Sequence, residues 1–210
     1  MPNYCGNTLT ISHEDPAMIT RAVEAFDRGE FFAEFVPVPK DLQITSSPGT
    51  QDQDLRSAYE VNKDKFGYET WYDFCCNEWG TKWDVGTEGA DADVTDDGKV
   101  MLVFFDSAWS PPIAAYEKLQ ELGFKVSAYY YESGMAFAGI YDEHGDESYD
   151  LSSMDSSEVR SSIPRELDET FCISEQIEEY ERENEEELTL WYKDGVEETG
   201  LDPHKKPSEC

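Results

Sequence analysis

Histidine and basic side chains are the scarce components of this chain. Three histidines, His13, His144 and His204, and 16 lysines and arginines stand among 210 residues. A Ser–His or Cys–His nucleophile needs its base within hydrogen-bond reach, and a zinc site needs a cluster of His or Cys. Three dispersed histidines argue against both. So few cations argue equally against direct binding of nucleic acid, whose recognition begins with a basic surface. No run approaches the ~18 consecutive apolar residues of a membrane-spanning helix, and an anionic lipid surface would repel the chain. Neither a phosphate-cradling glycine loop nor a G-x-S-x-G elbow occurs. The cysteines, Cys5, Cys75, Cys76, Cys172 and Cys210, are odd in number, include an adjacent pair and form no C-x-x-C. They read as free thiols of a reducing compartment rather than a disulfide scaffold. The opening residues, Met1 to Cys5, lack the basic flank and apolar run of a signal peptide. A cytoplasmic protein is expected, with no cofactor, no metal and no catalytic residues.

Acid is what the chain has in abundance. Asp and Glu number 47, for a formal net charge of −31, yet hydrophobic residues still make up 39% and aromatics 13%. That is enough apolar material for a packed core, so the charge is carried by a folded protein that must tolerate its self-repulsion. The acids are unevenly placed. Residues 1–140 hold 24 acidic and 10 basic side chains, whereas residues 141–202 hold 22 acidic and 4 basic ones. Adaptation to high salt would spread acids over every exposed surface; here they are concentrated.

The hydrophobic pattern predicts an α+β fold. Residues 3–12 alternate as a strand. Asp15-Pro16 opens a helix carrying Ile19, Val23 and Phe26, which Gly29 stops. Residues 31–38 read as a strand or extended edge segment ended by Pro37 and Pro39. After the polar stretch 43–54, helices are expected near 55–65 and 69–79. Residues 92–95 and 99–106 flank a hairpin turn at Asp96-Asp97-Gly98, and Val100 to Phe105 read as a buried central strand. Ser110-Pro111-Pro112 opens a helix to Leu122. Residues 124–132 and 135–142 form a second hairpin turning at Ser133-Gly134, with a short strand near 147–151. The order β-α-β, helical insertion, β-β-α-β-β suggests a ferredoxin-like split β-α-β sandwich over residues 1–150, with its insertion at 54–80. Residues 151–210 form an acidic extension, Ser-rich over 152–163, with one or two helices over 166–188 and a loose tail from 201.

The extension carries the candidate site. Glu175, Glu178, Glu179, Glu181, Glu183, Glu185, Glu186 and Glu187 place eight carboxylates in 13 residues. As a helix this segment is roughly 20 Å long, so the charges recur about every 2.4 Å, against one per ~1.7 Å in duplex DNA. Like charges four residues apart oppose the helix, and Ile173, Ile177, Tyr180 and Leu188 can offset this by packing. A rigid carboxylate array of this density can occupy a basic groove built for phosphates. The expected partner is a host DNA-binding protein, such as a nuclease, restriction or CRISPR-type complex; two copies pairing their acidic helices would lengthen the surface. Asp142, Glu143, Asp146 and Glu147 form a second acidic candidate. The plainer reading of both is a solvated acidic face.

Three segments resemble a known family: Met1 to Leu9 (MPNYCGNTL), Phe32 to Pro39 (FAEFVPVP) and Trp71 to Asp84 (WYDFCCNEWGTKWD). Together they are similar to the YubB/Api92-like proteins of phages and conjugative plasmids, over residues 1 to about 145. Trp79-Gly80-Thr81-Lys82-Trp83 is the most specific block; Tyr4 stands where the family usually has Trp. The resemblance implies a ferredoxin-like domain and a mobile-element setting, in which an acidic inhibitor of a host defence enzyme would make sense. It brings no catalytic residues and does not reach residues 150–210.

Other motifs have competing readings. Trp79 to Trp83 could line a pocket for a sugar or base, or Gly80 could end a helix while Trp79 and Trp83 seal it against the sheet. Cys75 and Cys76 could supply a nucleophile only in an electropositive setting. Asp91, Asp93, Asp96 and Asp97 before Gly98 approach a calcium loop but with the glycine and the twelfth position wrong. An interaction module using the sheet tyrosines Tyr129 and Tyr131 or the Trp83 region, or an enzyme with a pocket near Trp71–Trp83, are the rival functions.

Overall fold

The computed structural model describes residues 3–45, 53–86 and 92–199, with side chains described in 3–45, 58–86 and 92–186. The chain divides into two compact units, Met1–Ser152 and Ser153–Cys210.

The first unit is a mixed α+β domain. Its described strands form one six-stranded sheet in the order β2-β3-β1-β4-β5-β6, antiparallel throughout. The strands are β1 (Tyr4–Ser12), β2 (Asp93–Thr95), β3 (Val100–Ala108), β4 (Lys125–Glu132), β5 (Phe137–Asp142) and β6 (Gly145–Asp150). β1 lies between β3 and β4, and its alternation buries Cys5, Leu9 and Ile11 on one face. The same face of β3 buries Met101, Val103 and Phe105, while Phe104 on the other face is 53% exposed. The run from Val100 is therefore half-buried, not the fully buried central strand its composition predicts; β1 holds the central place.

Helices α1 (Pro16–Asp27) and α6 (Ile113–Glu121) form where expected. Asp15 caps α1 by accepting from the Ala17 N–H at 3.0 Å, satisfying a donor that the first turn cannot. Ile19, Ala22 and Phe26 are its buried stripe. α4 (Gln53–Phe66) and α5 (Trp71–Glu78) lie between β1 and β2, α5 opened by a reciprocal capping box between Thr70 and Asp73.

Residues 31–38 depart from expectation. Phe31–Phe35 is a helix, α2, followed by a short α3 (Lys40–Gln43). The cause is a remote carboxylate: Asp84 accepts from the N–H groups of Phe32 at 2.7 Å and Ala33 at 2.8 Å. It caps α2 from 51 and 52 residues downstream of these donors, and one helical turn buries both Phe31 and Phe32. Their rings meet Phe26, Trp79 and Phe105 at 5.9, 5.8 and 6.2 Å, an aromatic cluster at the centre of the core.

Both expected hairpins are present. Asp96, Asp97 and Gly98 have φ of 54°, 53° and 83°, the left-handed turn their types favour. The β4–β5 turn spans 133–136 and is wider than Ser133-Gly134 alone. The buried Glu132 carboxylate organises it by accepting from the Gly134 N–H at 3.0 Å and from the Met135 N–H.

The second unit is helical where described: α7 (Ser156–Ser162), α8 (Arg165–Phe171) and α9 (Ile173–Thr199). The Ser-rich stretch 152–163, given no element from its composition, contains α7. Its signal is the capping box of Asp155 and Glu158. Cys172, at φ 52°, separates α8 from α9. Among the described side chains, Val159, Leu167 and Ile173 are the buried apolar residues of the three helices. Residues 201–210, read as a loose tail, lie outside the described residues. Among the described residues no helix is long and apolar enough to cross a membrane.

Candidate functional site

The glutamates of α9 are not equivalent, because the helix has two faces. Ile173 is buried, and Ile177, Glu181 and Asn184 are half-buried. Spaced four, four and three residues apart, they form one stripe. Glu181 ties that stripe to α7: its carboxylate accepts from the Ser156 N–H at 3.1 Å and the Ser156 hydroxyl at 2.8 Å. Glu181 is therefore a helix cap for α7, occupied within the fold. Ser174 and Asp168 join α8 to α9 similarly, with Asp168 accepting from the Ser174 N–H and hydroxyl, both at 2.7 Å.

Glu175, Glu178, Glu179, Glu183, Glu185 and Glu186 are exposed. Glu178 is ion-paired with Arg160 of α7, which holds its carboxyl below the usual carboxylate range. Glu179 pairs with Arg182 one turn along, at 3.4 Å. Glu175, Glu183 and Glu186 make no ion pair among the described residues. The side chain of Glu187 lies outside the described residues. The sequence estimate of linear charge density therefore falls. Glu175 to Glu186 spans ~17 Å of axis, and its seven carboxylates are offset by Arg160 and Arg182. The array is therefore sparser than the two strands of duplex DNA taken together.

The second acidic candidate is not one surface. Asp142 is engaged in the β5–β6 turn, accepting from the His144 N–H at 2.7 Å. Asp146 accepts the Tyr130 hydroxyl at 2.7 Å, and Glu147, as its strand neighbour, faces the opposite side of the sheet. Glu143 is exposed and lies 3.7 Å from His144.

The Trp79–Asp84 block separates into clamps and an exposed tip. Trp79 is buried, its indole N–H donating to the Val36 carbonyl at 2.9 Å. The Thr81 hydroxyl donates to the Ala108 carbonyl at 3.1 Å and accepts from the Ala108 N–H at 3.0 Å. The Ser110 hydroxyl donates to the Gly80 carbonyl at 2.7 Å. Trp83 does not seal the sheet as expected: it is 42% exposed beside Trp109, itself 40% exposed. Sequence reading missed Trp109, which lies far along the chain; no local signal pairs it with Trp83. Burial pushes the Cys75 thiol up to about 12 and also raises Cys76, the reverse of what a thiolate nucleophile needs. Among the described residues no group of three or more His, Cys, Asp or Glu is arranged to hold a metal ion.

No family model matches the chain, and no curated protein does. Among solved structures, it is similar to the crystal structure of a protein api92 from Yersinia pseudotuberculosis, described under the family model DUF1281. Identity is 12% and the TM-score 0.36, over 71% of this chain and 98% of that one. The relation is structural and distant.

Proposed function

We propose that this is a non-catalytic binding protein whose C-terminal unit offers carboxylates to the basic, nucleic-acid-binding groove of another protein. The observation that carries this reading is the outward face of α9, where Glu175, Glu179, Glu183 and Glu186 recur four, four and three residues apart while the opposite stripe packs on α7. A basic groove that binds polyanions gains free energy by releasing counterions. A helix with a row of outward carboxylates can engage part of such a groove without being a substrate for its chemistry. The first unit serves as the scaffold. Its strand order β2-β3-β1-β4, with helices between β1 and β2 and between β3 and β4, supports a ferredoxin-like reading extended by β5 and β6. A mobile-element setting, and with it a host-defence enzyme as the target, follows from the resemblance of residues 1 to about 145.

The test is capture from a bacterial lysate on the immobilised full chain. The reading expects a DNA-binding protein to be retained at low salt, released at moderate salt, and displaced by added duplex DNA. Capture that resists both salt and DNA would reject the mimicry.

A further inference from the structure

A different feature, in the first unit, has the make-up of a ligand site. The loop 79–86 is joined to residues 107–112 by the bonds of Thr81 to Ala108 and of Ser110 to Gly80, to α6 by the Ala115 N–H donating to the Trp79 carbonyl at 3.1 Å, and to α2 by Asp84. This rigid base displays Trp83 and Trp109 with ring planes 25° apart and centroids 6.4 Å apart. Trp109 sits at φ +67°, a left-handed conformation that is sterically unfavourable for a bulky residue. A large apolar ring is thus held in an unfavourable backbone state and left substantially in water, an outlier of the kind that points to use. The Lys82 ammonium lies 4.5 Å from the Trp83 ring centroid, 5.4 Å from that of Trp109 and 5.8 Å from that of Tyr72. In a chain of net charge −31, Lys82 has no ion pair among the described residues.

We infer that Trp83, Trp109 and Lys82 form a binding platform for a small planar aromatic anion of the mononucleotide class, the ring stacking on indole and the phosphate meeting the Lys82 ammonium. The chemistry excludes the alternatives in turn. The Lys82 ammonium beside both rings repels a second cation, while the exposed parts of Trp83 and Trp109 remain open to a planar ring. A polyanion such as single-stranded nucleic acid is opposed by the charge of the whole chain. A small ring with one anionic group uses both elements: the ring stacks on indole, and the ammonium supplies a charge-assisted hydrogen bond.

The experiment is calorimetric titration of the full chain with adenosine monophosphate and with adenosine, on the wild type and on Lys82→Gln, Trp83→Ala and Trp109→Asn. Asparagine tolerates the left-handed backbone, and circular dichroism checks that each variant is folded. The expected result is saturable binding of the nucleotide that falls about tenfold or more in Lys82→Gln, while adenosine binds the wild type and Lys82→Gln equally. Each tryptophan variant should lose binding of both. Absence of saturable binding at millimolar nucleotide, equal affinity for nucleotide and nucleoside in the wild type, or full binding by folded Trp83→Ala would each overturn the assignment.

Discussion

Glu181 of α9 accepts both the backbone N–H and the hydroxyl of Ser156 at the start of α7, across 25 positions of sequence. The first turn of a helix has donors that the helix itself cannot satisfy. A carboxylate placed there acts by hydrogen bonding and by its charge at the positive end of the helix. One residue of the acidic run thereby holds the unit together, and its neighbours are left to face solvent.

Replacing Glu181 by Gln should therefore loosen α7, whereas Glu183→Gln, two residues on and on the outward face, should not. Loss of a side-chain cap costs about 1 kcal/mol. Hydrogen exchange of the α7 amides in the full chain measures it: the expected result is an opening free energy lowered by about that amount in Glu181→Gln alone. Equal protection in the two variants would contradict the assignment of Glu181 as a cap.

Trp79 and Trp83 stand four residues apart in one motif and should behave oppositely. Trp79→Phe removes the donor to the part-buried Val36 carbonyl and should destabilise the first unit by about 1–2 kcal/mol. Trp83→Ala, at an exposed tip, should cost well under half of that. Urea unfolding of the two variants provides the comparison, and equal losses would count against the exposed placement of Trp83.

Gly86 should not accept a side chain. A Cβ there would lie 2.6 Å from the Phe26 carbonyl oxygen and 2.8 Å from the Gly29 nitrogen, both backbone atoms that cannot swing away. Gly86→Ala is expected to destabilise by about 1–3 kcal/mol, as overpacking does, while Gly67→Ala meets no atom within 4 Å and is opposed only by its φ of +81°. A lowered melting temperature in Gly86→Ala exceeding that in Gly67→Ala is the predicted outcome.

Glu34 gives a pH-dependent prediction. Hydrogen bonds and charge from Arg21, 2.6 Å away, with Arg28 at 2.9 Å, hold its carboxyl below the usual 4.5. A carboxyl depressed in the folded state stabilises it above the unfolded pKa and loses that contribution as pH falls through the folded value. The difference in urea midpoint between wild type and Glu34→Gln should be constant near neutrality and shrink progressively below about pH 4.5. A difference that grows on acidification would reverse the sign and contradict these ion pairs.

Much of this architecture was legible in local sequence. Asp15-Pro16, Asp96-Asp97-Gly98 and the period-two alternation of residues 3–12 are short-range signals, and the elements they predict are present. What failed depended on distant partners. FFAEF has the β-formers of a strand, but Asp84, 52 residues on from Phe32, supplies the cap that makes it helical. Trp83 meets Trp109 only because Thr81 and Ser110 join their loops. Helix α7 was legible in Asp155 and Glu158 but hidden by the serine-rich composition around them. In the acidic run the charge count was readable, whereas the diversion of Glu181 into a cap and the pairing of Glu178 with Arg160 required the helices to be packed.

The central claim is that the outward carboxylates of α9 stand in for phosphates, and neutralising them tests it most directly. In the variant Glu175→Gln/Glu179→Gln/Glu183→Gln/Glu186→Gln the cap Glu181 and the pair Arg160–Glu178 remain, so the unit should keep its helicity. Affinity for the captured DNA-binding protein should fall about tenfold or more, as loss of electrostatic attraction implies, and the slope of log affinity against log salt should become shallower. Undiminished affinity with an unchanged salt slope in the folded variant would show that the partner is held elsewhere.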